Sequence, residues 1–382
     1  DGKDVTIIGG DTTVRIGAGT DKAGGSAAYG VFAGKGGDVS IDAGSVTIDA
    51  EGRGALGIYA DGGSTVEVTA EDVTINAKGE ANASWARGMQ ASGQNSAITI
   101  HSTGGEVSVS AYGREGYAMS AEGLNNKTRI DGAEKVTLKA SHTGMSANSG
   151  NASNTIDGGE VRIIVDEASV AGHGGMYASE AKNIIQNATS VTIDALGGKS
   201  NTGMNAGYKG ENTVTSTGDV TVTAKDGTST NYGLSAAAGS NSITTSNGDV
   251  KITATGKATE NIGIRASQGG TTDITAVNGN VTIDSTGSGF GKGIFASGAS
   301  TVNINAHDVS IKTDGSLASQ GSNALRNDGS TININSSGGT VTLEAGSGPS
   351  GWHAGMLAMN SGTSKISGAK ETVITAKDDG MS

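Results

Sequence analysis

Val281-Thr282-Ile283-Asp284-Ser285, then Gly293-Ile294-Phe295-Ala296, then Thr301-Val302-Asn303-Ile304: these three short runs decide the fold. In each, apolar side chains alternate with polar ones, the period of a strand with one buried face. Glycine, serine, asparagine and aspartate fill the gaps, so each run ends at a turn.

The first run recurs along the chain. It returns as Val14-Arg15-Ile16, Val46-Thr47-Ile48, Val73-Thr74-Ile75, Val107-Ser108-Val109, Val136-Thr137-Leu138, Val161-Arg162-Ile163, Val191-Thr192-Ile193, Val220-Thr221-Val222, Val250-Lys251-Ile252, Val309-Ser310-Ile311 and Val341-Thr342-Leu343. A second ladder, glycine, apolar, any residue, alanine, keeps the same beat in Gly30-Val31-Phe32-Ala33, Gly57-Ile58-Tyr59-Ala60, Gly144-Met145-Ser146-Ala147, Gly263-Ile264-Arg265-Ala266 and Gly355-Met356-Leu357-Ala358. A looser third ladder carries Val66 and Val68, Ile98 and Ile100, Ile243, Ile274, Ile332 and Ile334. A period of roughly 30 residues belongs to solenoids and arrays.

One such unit cannot bury its own apolar faces, so the copies must stack. If each copy is one turn of a coil, every strand finds its equivalent about 4.8 Å away, and the ladders become three parallel sheets around a shared interior. The handedness of parallel crossovers favours a right-handed coil. The expected architecture is therefore all-β: a right-handed parallel β-helix of about 12 rungs of roughly 30 residues, three strands per rung, some 60 Å long. It is expected to run as one continuous domain over residues 1–382. A propeller would want longer repeats and aromatic signatures. The glycine opening the second ladder marks a place where a β-carbon would clash, and the repeated inward alanines mark a narrow part of the interior.

Composition agrees. The 382 residues include 65 glycines, one proline and no cysteine, and only 3% are aromatic. Collagen, disulfides and thiolate metal sites are excluded. The net charge of −12 is spread without blocks, which disfavours nucleic acid as a partner. No apolar run is long enough to cross a bilayer as a helix, and no signal-peptide pattern opens the chain. Because Gly380-Met381-Ser382 starts another copy of the second ladder, the sequence reads as a fragment of a longer chain that ends mid-repeat.

Residues that could carry chemistry mostly have plainer explanations. His101, His142, His173, His307 and His353 lie in different copies and read as exposed loop residues without metal spacing. Asp72, Glu106, Glu160, Asp219, Asp249 and Asp308 recur just before the first ladder, where aspartate caps turns. Gly287 to Gly293 resembles a phosphate-cradling loop but lacks the Ser or Thr after Lys292 and the following helix, so a surface loop is expected. Gly34-Lys35-Gly36-Gly37-Asp38 resembles a calcium nonapeptide but is unrepeated. The outward threonines are interrupted by Arg162 and Lys251, against an ice-binding face. No cofactor is expected.

One feature rises above the repeat. The loop between the first and second ladders varies most, and Trp85, Tyr112, Tyr117, Phe290, Trp352 and His353 fall in or beside it, with Tyr232. Phe32, Tyr59, Tyr177 and Phe295 occupy the outward position of the second ladder. In a chain so poor in aromatics, this edge is the candidate partner surface.

The three-strand repeat, the V-T-I-x-A and G-x-x-A ladders, the wealth of glycine, threonine and asparagine, and the absence of cysteine together resemble the passenger region of autotransporter surface proteins of Gram-negative bacteria. The resemblance is architectural and covers the whole chain. It implies export through the outer membrane to the cell surface and a noncatalytic adhesin or stalk. The partners would be host glycans or proteins, or sister cells in aggregation. The G-D-S-G-S pattern of protease passengers is missing. The alternative is a polysaccharide lyase or hydrolase, which would need acids and an Arg or Lys converging in one groove on neighbouring turns. Arg265 and Arg326 project from the second ladder two turns apart, with no carboxylate pair in register between them.

Overall fold

The computed structural model describes residues 5–16, 27–80, 85–166, 172–315, 321–346 and 353–381. It falls into two compact units, Asp1–Val170 with Gly174–Thr189, and Ala171–His173 with Ser190–Ser382. Each is a parallel β-solenoid with about 30 residues per turn and three strands per rung, and the chain makes about 11 turns. No helix occurs among the described residues.

All three ladders become parallel sheets in rung order. In the first, Val250, Lys251 and Ile252 pair with Val281, Thr282 and Ile283, which pair in turn with Val309, Ser310 and Ile311. The inward set, Val281 and Ile283, is fully buried, whereas Thr282 faces solvent. The in-register alternation leaves no doubt about which face each residue takes, because a one-residue slip would reverse it.

Burial comes from the neighbouring rung. Val5, Val39 and Val66 share one inward row of the third sheet on successive rungs and are 50%, 8% and 0% exposed. In the second unit Leu343 is fully buried, while its register partner Ile374 on the last first-sheet strand is only half-buried. Alanines fill the corners, as Ala50, Ala55, Ala77, Ala86 and Ala111 do where the first sheet gives way to the second.

Two corners also hold rows of buried asparagine. Asn201, Asn231 and Asn261 are fully buried on consecutive rungs, each amide donating to the next: Asn201 Nδ2 to Asn231 Oδ1 at 3.2 Å and Asn231 Nδ2 to Asn261 Oδ1 at 2.9 Å. They also serve the turn, Asn231 Oδ1 accepting from Gly227 N at 2.9 Å and its Nδ2 donating to Thr255 O at 3.0 Å. The corner backbone would otherwise be buried without partners. In the third sheet Asn154 Nδ2 donates to Asn183 Oδ1 at 2.8 Å, and Asn212 Nδ2 to Asn241 Oδ1 at 3.0 Å.

The aspartates before the first ladder serve the same end. Asp72 Oδ1 accepts from Glu106 N at 2.8 Å, Asp219 Oδ1 from Asp249 N at 2.9 Å, and Asp249 Oδ1 from Asn280 N at 2.8 Å. They bind the next rung rather than their own turn, and so form a structural row. For Asp308 the hydrogen bond from Thr340 N holds the carboxyl below its usual range.

The glycine row is a packing requirement. A β-carbon on Gly263 would lie 2.2 Å from Ile283 Cγ2 and 2.7 Å from Gly293 O; on Gly57 it would lie 2.2 Å from Ile75 Cγ2. The glycines of this row face the Cγ methyl of a β-branched residue in the first sheet, one rung on, as Gly88 faces Val109. Alanine takes the row at Ala118 and Ala324, and there the register brings Leu138 and Leu343 to the facing position. Leucine carries no methyl on its β-carbon, which leaves room for one on the other side. Gly263→Ala should therefore lower stability by ~1–3 kcal/mol, and Ile283→Leu should restore part of it. A double-mutant cycle on thermal midpoints giving no coupling between the two sites would refute this complementarity.

Candidate functional site: the outward face of the second sheet

Nine of the twelve aromatic residues, Tyr29, Phe32, Tyr59, Trp85, Tyr117, Tyr177, Tyr232, Phe290 and Phe295, lie in strands of the second sheet, and none of the nine is buried. Trp85, Tyr117, Tyr232 and Phe290 were expected in or beside the variable loop. The structure places them on the strands Trp85–Ser92, Glu115–Glu122, Thr230–Ala237 and Phe290–Ser297. Pairing in these strands continues upstream of the glycine row, so they start earlier than their apolar pattern indicates. The nine take three positions: Trp85 and Phe290 three residues before the glycine row, Tyr29, Tyr117 and Tyr232 just before it, and Phe32, Tyr59, Tyr177 and Phe295 two residues after it.

In the first unit, Tyr29, Phe32 and Tyr59 form an open aromatic group. The Phe32 and Tyr59 rings stack at 5.6 Å and 14°, and Tyr29 lies 5.2 Å from Phe32 and 5.7 Å from Tyr59. Phe32 is 53% exposed. Burial raises the Tyr59 phenol above its ordinary pKa, against a hydrogen bond with Ser92. Tyr29 escaped the sequence reading, although it precedes Gly30 as Tyr232 precedes Gly233.

Further along, Trp85, Arg87, Tyr117 and His142 form a second group. The Arg87 guanidinium lies 3.8 Å from the Tyr117 ring centroid and 5.9 Å from that of Trp85, and Tyr117 meets His142 edge-on at 5.1 Å. Arg87 Nη1 donates to Glu115 O at 2.5 Å and Ala86 O at 3.1 Å. Burial pushes Arg87 down and Tyr117 up from their ordinary pKa values.

The second unit carries a charged group instead. Lys292 Nζ pairs with Glu260 Oε1 at 3.1 Å, the Tyr232 hydroxyl donates to Glu260 Oε2 at 2.9 Å, and Arg265 Nη1 donates to that hydroxyl at 3.4 Å. Lys292 Nζ and Arg326 Cζ lie 5.0 and 5.4 Å from the Phe295 centroid. Burial alone would raise Glu260, but Lys292, Tyr232 and Arg265 hold it below the usual carboxylate range. Burial, with the charge of Glu260, pushes the Tyr232 phenol up to about 12. Lys292 is pushed down by burial and by Arg326 and Arg265, against the pull of Glu260.

The remaining candidates behave differently. Tyr112 closes a first-sheet strand, its hydroxyl donating to Asp166 Oδ1 at 3.4 Å. Tyr177 takes its expected outward place, in register with Ser146. Trp352 lies outside the described residues. His353 does not belong to a surface: it is 1% exposed, with Nδ1 accepting from Ser322 N at 3.3 Å and its backbone N donating to Asp378 at 2.9 Å. The expected loop over Gly287 to Gly293 is also corrected. The strands Val281–Gly287 and Phe290–Ser297 leave two residues between them, and Lys292 is a buried ion-pair partner.

A separate cavity of about 560 Å³ beside the first sheet is lined by Lys312, Asp314, Glu344 and Lys377 among others. Among the described residues, no group of histidines and carboxylates able to hold a metal ion occurs, and no helix is long and apolar enough to cross a membrane. The fold defines the class, a parallel β-solenoid. In comparisons with protein-family models, curated proteins and solved structures, nothing matches the chain.

The ion pair has a signature in pH. Since Glu260 is depressed in the folded state, its stabilisation is complete above the unfolded carboxyl value of 4.5 and is lost as pH falls through the lower folded value. Glu260→Gln strands the buried Lys292 and should cost ~1–3 kcal/mol near neutrality, less than for a fully buried pair because Glu260 is partly solvated. The difference in thermal midpoint from the parent chain should shrink as the solution is acidified past the folded carboxyl value. A difference independent of pH would show that the charge of Glu260 is not what holds Lys292.

Proposed function

We propose that this chain is a noncatalytic part of a bacterial cell-surface adhesin of the autotransporter type, exported through the outer membrane. Its partner would be a host glycan or protein, or another bacterial cell. The observation that carries the reading is the sorting of aromatic side chains. Nine of twelve lie in the strands of one sheet out of three, and none of the nine is buried in the interior. The interior is built from Val, Ile, Leu, Met and Ala. Exposed aromatics beside guanidinium groups are the residue types that dominate binding surfaces.

A second reading is polysaccharide cleavage, and the cavity beside the first sheet favours it: Asp314 and Glu344 there share a groove with Lys312 and Lys377 on neighbouring turns. Lys312 and Glu344 lie 3.9 Å apart, which ties up part of that set.

A glycan array and a host-cell attachment assay on the purified chain, with reducing-sugar release followed in parallel, separate the two. Binding without turnover is expected, and Phe32→Ala with Tyr59→Ala should weaken attachment about tenfold or more, the worth of one aromatic hot spot. Sugar release that disappears in Glu344→Gln would overturn the adhesin reading. Unchanged attachment by the aromatic variants would remove this face from it. Concentration-dependent sedimentation would assign the partner as a second copy on another cell.

A further inference from the structure

Along the outer row of the second sheet, Arg265, Phe295, Arg326 and Leu357 occupy consecutive rungs in register, so that cations alternate with apolar side chains. At one rung per ~4.8 Å, the two arginines are about 10 Å apart along the sheet. Around them the charges do not cancel. Glu260 is engaged by Lys292 and Tyr232, while Arg265 donates to the Tyr232 hydroxyl and lies 5.2 Å from that ring's centroid. Arg326 forms no ion pair among the described residues. It lies against the Phe295 ring, and its Nε–H is shielded from solvent without an acceptor. Lys292, Arg265 and Arg326 thus gather near Glu260, with Asp328 two residues from Arg326 on the same side of its strand, in a chain whose net charge is −12.

We propose that Arg326, flanked by Phe295 and Leu357, is a binding site for the carboxylate of an acidic sugar at the tip of a glycan. This rests on the adhesin reading above and specifies its ligand. The planar guanidinium presents paired donors that match a carboxylate. Phe295 and Leu357, one rung to either side, offer apolar surface to the C–H face of a pyranose ring. Arg265, two rungs away, adds favourable potential. The ligand is a single acidic residue rather than a polyanion, because the overall negative charge repels a dense run of phosphates or sulfates. That argument sets nucleic acid aside too.

The test is saturation-transfer NMR and titration on the full chain with four probes: methyl β-D-glucuronide, its methyl ester, methyl β-D-glucoside and acetate. The glucuronide alone should bind, more weakly as salt is raised. Arg326→Ala should reduce its affinity about tenfold or more, the worth of a charge-assisted pair. Arg326→Lys should recover only part, since it restores the charge without the fork. Equal binding of the ester or the glucoside would overturn the proposal, as would acetate binding as tightly as the glucuronide. Should Arg326→Ala unfold, as judged by circular dichroism, an Arg326→Lys variant that folds and binds like the parent would overturn it equally. If no probe binds while the chain still attaches to cells, the acidic-sugar site falls and the adhesin reading stands. Glucuronide binding by a chain that attaches to no cell would uphold the site and count against the adhesin.

Discussion

Everything in each unit depends on one rung lying in register on the next. A single turn has three short strands and no interior of its own, and the exposure of Val5, Val39 and Val66 shows how quickly a neighbour supplies one. Hydrogen bonds follow the same axis. Backbone ladders, the asparagine rows and the aspartates before the first ladder all connect a residue to its equivalent about 30 positions away. Stability is therefore a sum over nearest-neighbour interfaces, as in other repeat proteins. Any position can change provided its partners one rung up and down tolerate the change.

The glycine row makes that condition concrete. These residues keep negative φ, so their freedom of backbone conformation is not what selects them. What selects them is the branched side chain opposite, and the alanines at 118 and 324 stand where leucine takes over the facing position. A substitution in one sheet is thus recorded in another sheet, one rung on, within a single sequence.

This explains which features could be read from the residues and which could not. The three ladders, their parallel stacking and the inward side of each strand were legible, because alternation and a fixed period encode them directly. The upstream ends of the second-sheet strands were not, since Trp85, Tyr117 and Phe290 lie in stretches of irregular pattern, and only the packing shows that pairing continues through them. Burial of His353 was equally hidden, because a polar residue next to a variable segment gives no periodic signal. Ion pairs such as Lys292 with Glu260 join residues one rung apart, and their meeting depends on register to the residue. Glu260 and Phe290 pair across neighbouring strands, and this brings Lys292 within reach.

The interior of each unit has a consequence for function. Because every inward position is committed to the neighbouring rungs, side chains free to meet a partner must lie outside, and there the three sheets differ. The first and third present mostly threonine, serine, asparagine and short acids, which pair with their equivalents, as Asn303 does with Asp273 and Asn333. The second presents aromatic rings and guanidinium groups that stack without exhausting their donors. The most exposed of these rings, such as Phe32 at 53%, cost solubility on an outer surface. That imbalance is the physical ground for proposing this face, and within it Arg326, as the site of contact with another molecule.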